Sequence, residues 1–302
     1  MKSLILGASG QVGAQLYALC QGRGHDVFGT AFRHQRNGLY RVDLCDGPKI
    51  ESLIRMLRPD VVYLPASFTN VDRAEEHPEE CRAVNVDGTV QVAEAVRKLP
   101  ATKLVFFSTD HVFGDTERAL CEEEKTRPMS VYAQTKVDAE EAVRLILPEQ
   151  HLVLRTSWVY GPDAQGKNFV YRAVRTLRSL QRLMTANDQF GQPTYGPDLA
   201  RATVELAERE HNGTYHIVGP DRLTRFAFAR LIAHVYHLDA DRVQGVPTVE
   251  LKQSAPRPKQ VWLARHKLRQ ALGEQPVRPV ASALRELRSL FSMSTSQLVE
   301  AA

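Results

Sequence analysis

Ser3-Leu4-Ile5-Leu6-Gly7-Ala8-Ser9-Gly10-Gln11-Val12-Gly13 is the stretch on which the reading of this chain turns. Residues 3–7 form a short, nearly continuous apolar run, the pattern of a strand buried on both faces. Residues 14–24 then carry apolar side chains at helical spacing and close on Gly22 and Gly24. Between them the glycines Gly7, Gly10 and Gly13 fall in a G-x-x-G-x-x-G spacing rather than G-x-G-x-x-G. Glycines placed this way let the backbone turn tightly and approach a pyrophosphate, which then rests on the free N–H groups of the helix N-terminus. A plain strand-to-helix turn has the same ingredients, so the rest of the chain must decide.

Outward from this loop, apolar strands alternate with helical patterns. Residues 25–31, 41–44, 60–64 and 103–107 read as the second to fifth strands. Residues 47–59 and 81–99 read as helices, with a polar connection over 65–80. The expected fold is therefore α/β, a Rossmann-type doubly wound parallel sheet with ligands at the carboxyl ends of its strands, plus a smaller α/β substrate-binding lobe. We assign residues 1–155 to the dinucleotide-binding domain, which also receives later segments near 185–215. Residues 156–290 form the smaller lobe, with an Arg-rich helix over 172–183, a helix over 226–238 and a late strand near 213–219. The polar residues 291–302 read as a disordered tail.

Composition narrows the function. The chain has 302 residues, 43% hydrophobic and 25% charged, with a formal charge of +4. Its Arg and Lys are spread along the sequence, which leaves no nucleic-acid footprint. Cys20, Cys45, Cys81 and Cys121 lie far apart, without a C-x-x-C pair or histidines at ligand spacing, so we expect reduced thiols, no metal site and a cytoplasmic location. No stretch approaches the roughly 18 apolar residues of a membrane span.

The end of the second strand selects the cofactor. An acid there would accept hydrogen bonds from a ribose 2'-hydroxyl, whereas arginine accommodates a 2'-phosphate. This chain has Thr30, then Arg33 and Arg36, and no acid before Asp43. NADPH is favoured, with NADH left open, as is the reading of Arg33 and Arg36 as a solvated loop. Asp43 could reach an adenine edge or cap the next helix.

Ser108, Thr109 and Asp110 follow the fifth strand directly, where Thr109 could donate to a substrate carbonyl or simply form a turn. Tyr132 and Lys136, four apart on the next helix, share one face about 6 Å apart along the axis. An ammonium beside a phenol favours the phenolate, which suits a proton donor or acceptor for an alcohol/ketone pair. Tyr-x-x-x-Lys alone also arises by chance on helix surfaces. Asp110 and His111 invite a hydrolase reading, but no G-x-S-x-G elbow is present.

Together, GASGQVG, FTNVDRAE, VNVDGT, FFSTDHVFGD, VYAQTK, LRTSWVYGP, DQFGQPT and RPKQVWL resemble the extended short-chain dehydrogenase/reductase superfamily, and within it the dTDP-4-dehydrorhamnose reductase (RmlD-like) family, over almost the whole chain. The resemblance implies that Thr109, Tyr132 and Lys136 are the catalytic set. Tyr132 gives the proton, Lys136 holds the nicotinamide ribose and lowers the tyrosine pKa, and Thr109 polarises the carbonyl. It also implies that Gly7, Gly10, Gln11, Val12 and Gly13 form the pyrophosphate loop, that Asp43 and Leu44 contact adenine, and that Ala66 and Ser67 let the cofactor lie against the fourth strand. Trp158, Gln189 in the DQFGQPT loop, Arg257 and His111 are expected around a nucleotide-sugar.

The chain departs from the family at Leu64-Pro65-Ala66, where Asn-Ala-Ala is frequent, and at His111, where the family often has Tyr. The activity implied is NADPH-dependent reduction of the 4-keto group of a nucleotide-linked 6-deoxy sugar, dTDP-4-dehydrorhamnose to dTDP-L-rhamnose. Another nucleotide-sugar reductase or epimerase is the near alternative. A noncatalytic subunit similar to the regulatory subunit of methionine adenosyltransferase is the distant one. Relatives are commonly dimers, so a homodimer is an expectation.

Overall fold

The computed structural model describes the backbone of residues 1–299 and the side chains through residue 290. Seven strands make one sheet: β1 (Lys2–Ile5), β2 (Asp26–Ala31), β3 (Tyr40–Arg41), β4 (Val61–Leu64), β5 (Lys103–Thr109), β6 (His151–Thr156) and β7 (Gly213–His216). Their spatial order is β7-β6-β5-β4-β1-β2-β3, and every neighbouring pair is parallel. The order reverses between β1 and β4, which puts a crevice at their carboxyl ends.

Period-two alternation explains why both faces are covered. Leu4, Leu6, Val62, Leu64, Leu104, Phe106 and Val153 point to one side, where they pack on Ile50, Leu53 and Ile54 of helix Gly47–Leu57, Val92 and Val96 of Gly88–Arg97, and Val143 of Val131–Ile146. Ile5, Tyr63, Val105, Leu152 and Leu154 point the other way, onto Leu16 and Cys20 of helix Gln11–Gly22 and Leu199 and Leu206 of helix Gly196–Glu208. Each fully buried Leu or Phe contributes roughly 1.5–3 kcal/mol.

A second core lies beyond the sheet. Leu183–Ala186 pairs in parallel with Val243–Val246, and helices Phe169–Arg178, Arg225–Val235 and Val280–Val299 enclose Val174, Leu177, Phe228, Ile232 and Leu284. The last helix enters the stretch read from sequence as a tail; residues 300–302 lie outside the described residues. No helix among the described residues is long and apolar enough to cross a membrane.

Local boundaries differ from the sequence reading where backbone details intervene. The Arg-rich helix is Phe169–Arg178, not 172–183, because Asn168 caps it early by accepting from the N–H groups of Val170 and Tyr171, and Leu180 turns to φ 57° behind it. Leu183 instead starts a strand. The helical pattern over 81–99 is interrupted by a wider turn at Ala83–Asp87, and the polar connection before it contains helix Val71–Glu76, capped by Asn70. The third strand is Tyr40–Arg41, which leaves Asp43 and Leu44 in the loop that follows.

Candidate active site

A cleft of about 1240 Å³ opens along the carboxyl ends of the sheet. Its floor is the glycine loop. Gly7 has φ 96°, a region that favours glycine, and a Cβ there would come within 2.8 Å of the Ala66 Cβ. A Cβ on Gly13 would meet the Gly7 carbonyl oxygen at 2.1 Å. The loop is pinned to β2, since the Gly7 N–H donates to the Thr30 hydroxyl at 3.0 Å. Gly10 opens helix Gln11–Gly22 without a side-chain cap, the first turn carries no acid, and the Gln11 Nε2 is buried with no partner. The loop therefore offers backbone donors and a positive helix end to an anion.

The two arginines expected after β2 separate. Arg33 lines the cleft, whereas Arg36 is exposed and does not. Asp43 and Leu44 also line it, and Asp43 shapes the turn by accepting from the Cys45 N–H at 3.1 Å. Pro65 carries no donor where the chain leaves β4, and the sheet continues through the Ala66 N–H to the Leu6 carbonyl at 3.1 Å. Ser67 donates to the buried Asn85 side chain at 2.8 Å.

Thr109, Tyr132 and Lys136 all face this cleft. Ser130 caps helix Val131–Ile146 through the Ala133 N–H, and Glu75 accepts from the Val131 N–H at 2.8 Å. These two bonds fix the first turn, and with it Tyr132. Lys136, 2% exposed, lies with its ammonium 4.0 Å from the centre of the Phe106 ring. Burial pulls its pKa down to about 7, against the raising effect of Glu140.

Burial first and the Asp110 charge second push the Tyr132 phenol up, opposed by its hydrogen bond with Thr109.

Around this set, Asp110 is 4% exposed and accepts from Thr109 Oγ1 at 3.2 Å and from Ser157 Oγ at 2.6 Å. His111 presents its ring edge to face with Tyr132, centroids 6.2 Å apart. Its Nδ1 is buried without a partner. Desolvation lowers the His111 pKa, Asp110 opposes this, and Arg257 and Arg225 add to it, so the imidazole is neutral.

Trp158 sits at φ 44°, pressed by Gly191, where a Cβ would reach the indole at 2.4 Å. The Arg225 guanidinium stacks 3.5 Å from the centre of that indole. Gln189 lines the cleft but spends its amide on Gln253 at 2.9 Å. Arg257 grips Asp72 through two bonds of 2.9 and 2.8 Å.

Sequence reasoning missed Arg225 and Lys167, both in the cleft wall, and left Arg172, also there, between solvent and a phosphate. Arg225 and Arg172 approach the same Phe169 ring, at 4.9 and 5.3 Å, and burial together with Arg172 pulls the Arg225 pKa down to about 9. The only signal was the arginine content near residue 172; nothing local marks Arg225. Among the described residues no cluster of His, Cys, Asp or Glu is arranged to hold a metal.

A parallel sheet in this order, a glycine loop at its switch point and a Thr-Tyr-Lys set on the same cleft define an extended short-chain dehydrogenase/reductase. Residues 1–290 match the family described as RmlD substrate binding domain, and the chain belongs to that family. It is 34% identical to a dTDP-4-dehydrorhamnose reductase of Streptomyces griseus, over 94% of this chain and 91% of the relative. It is 30% identical to a dTDP-4-keto-6-deoxy-D-glucose reductase of Streptomyces niveus, over 97% and 98%. The dTDP-4-dehydrorhamnose reductase of Bacillus anthracis, solved in complex with NADP, superposes with a TM-score of 0.86 at 27% identity, covering 95% of this chain and 99% of that one.

Proposed function

We propose that this chain is a cytoplasmic, NADPH-dependent reductase of the 4-keto group of a nucleotide-linked 6-deoxy sugar, converting dTDP-4-dehydrorhamnose to dTDP-L-rhamnose. The observation that carries the reading is that the glycine loop, Arg33 and the Thr109-Tyr132-Lys136 set open on one cleft. The residues fit a dinucleotide. A Cβ at Gly7 or Gly13 would collide with neighbouring atoms, the helix start at Gly10 is uncapped, and the Gln11 amide is an orphaned donor. Gly10 to Gly13 would hold the pyrophosphate, Asp43 and Leu44 the adenine, Ala66 and Ser67 the face against β4, and Lys136 the nicotinamide ribose.

The bound cofactor supplies a hydride to the carbonyl carbon. Tyr132 supplies the proton to the oxygen. A phenol is protonated at neutral pH, and burial pushes this one further up, which suits a donor in the reducing direction. Thr109 turns its hydroxyl from the long bond to Asp110 toward the same oxygen. His111, neutral and beside Tyr132, contacts the sugar. Arg225 and Arg172 take the nucleotide's diphosphate, with Trp158 stacked under Arg225.

Incubating the protein with NADPH and a panel of 4-keto nucleotide sugars tests the reading. Oxidation of NADPH with the dTDP-linked 4-keto-6-deoxy sugar is expected. Tight cofactor binding with no turnover of any sugar would sink it.

A further inference from the structure

Arg33 is not a free cation at the cleft edge. Its Nη2 donates to Glu80 Oε1 at 2.8 Å, and the other Glu80 oxygen accepts from Arg73 Nη2 at 2.6 Å. Glu80 comes from the short helix Pro78–Arg82, and both Arg33 and Glu80 line the cleft with Asp43, Leu44 and Cys45. Arg73 belongs to helix Val71–Glu76, its guanidinium 5.3 Å from the centre of the Phe68 ring. One carboxylate thus stands between two guanidiniums, and one of these is the group that would meet a 2'-phosphate.

We propose that Glu80 is a specificity-determining residue for the cofactor, its carboxylate competing with the 2'-phosphate for Arg33 while Arg73 keeps Glu80 paired when Arg33 is drawn away. This rests on the reading of the cleft as an NADP(H) site. A phosphate monoester carries close to two negative charges and three acceptor oxygens, so it can take Arg33 from a single carboxylate. The exchange breaks one ion pair and brings a second negative charge toward Glu80, and both effects weaken NADPH. NADH has no phosphate at this position and meets neither. Glu80 therefore narrows the preference for NADPH, and Arg73 limits how strongly it does so.

The test is calorimetric binding of NADPH, NADH, 2',5'-ADP and 5'-AMP to the full chain and to Glu80→Gln, Arg73→Ala, Arg33→Ala and the double variant Glu80→Gln/Arg33→Ala. Glu80→Gln should tighten NADPH and 2',5'-ADP by about two- to fivefold, the scale of an exposed ion pair, and leave NADH and 5'-AMP unchanged. Arg73→Ala should move NADPH the opposite way, and the gain from Glu80→Gln should shrink in the Arg33→Ala background to the part that comes from charge repulsion alone. An unchanged NADPH-to-NADH ratio in Glu80→Gln, with both dinucleotides still bound, overturns the role of Glu80 alone. If the parent protein binds neither dinucleotide, the cofactor reading fails and this proposal with it.

Discussion

The Lys136 ammonium lies against the face of Phe106, 4.0 Å from the ring centre, in a position with almost no solvent contact. A ring face replaces only part of the lost hydration, so the pKa falls from 10.5 to about 7. Between those two values the unfolded chain binds a proton that the native chain does not, and stability rises with pH across the window. Lys136→Met should flatten that slope and add about 1–3 kcal/mol of stability near pH 7, while losing turnover. Urea unfolding at several pH values checks this; identical pH dependence in both proteins would contradict it.

Tyr132 is the second residue of its helix, after the Ser130 cap and Val131, and lies edge to face with His111. Removing only its hydroxyl should leave packing and NADPH affinity within about twofold and lower kcat by a factor on the order of 10²–10⁴, the usual worth of a positioned proton donor. Steady-state kinetics of Tyr132→Phe alongside dinucleotide titration give both numbers. Retained turnover would remove Tyr132 from its role.

Gly13 and Gly22 belong to one helix but should respond oppositely to alanine. At Gly13 the new Cβ would lie 2.1 Å from a backbone oxygen, so Gly13→Ala should cost about 1–3 kcal/mol and weaken dinucleotide binding. At Gly22 nothing lies within 4 Å and the backbone is ordinary, so Gly22→Ala should be neutral or stabilising by up to about 1 kcal/mol. Thermal unfolding of the two variants separates local crowding from general helix effects.

Arg155 of β6 and Glu140 of helix Val131–Ile146 form a bidentate pair at 3.0 and 2.7 Å, both essentially excluded from water. Arg155→Met leaves the buried carboxylate with the half-exposed Arg144, at 2.6 Å, as its remaining ion-pair partner, and should destabilise by about 3 kcal/mol, the low end for a broken buried pair. Chemical denaturation measures it, and the double change Arg155→Met/Glu140→Leu should recover much of the loss.

The central sheet was legible because strands covered on both faces read as continuous apolar runs: neighbours such as Leu4 and Ile5, or Phe106 and Phe107, are both apolar because they face opposite helical layers. The glycine loop was legible because Gly7 and Gly13 occupy positions no other residue fits. Less visible were features made by long-range contacts. Arg36 looked equivalent to Arg33 in sequence, yet only Arg33 turns into the cleft, where Glu80 receives it. Arg225 gained its place through Trp158, some 67 residues earlier by their numbering, a contact no local pattern encodes.

The reductase reading is tested most directly by measuring NADPH consumed and L-rhamnosyl nucleotide formed when the purified chain meets dTDP-4-dehydrorhamnose, with Tyr132→Phe as the matched blank. Equal amounts of oxidised cofactor and reduced sugar from the parent chain, and neither from the variant, are the predicted result. Binding of NADPH without any reduced sugar would contradict it.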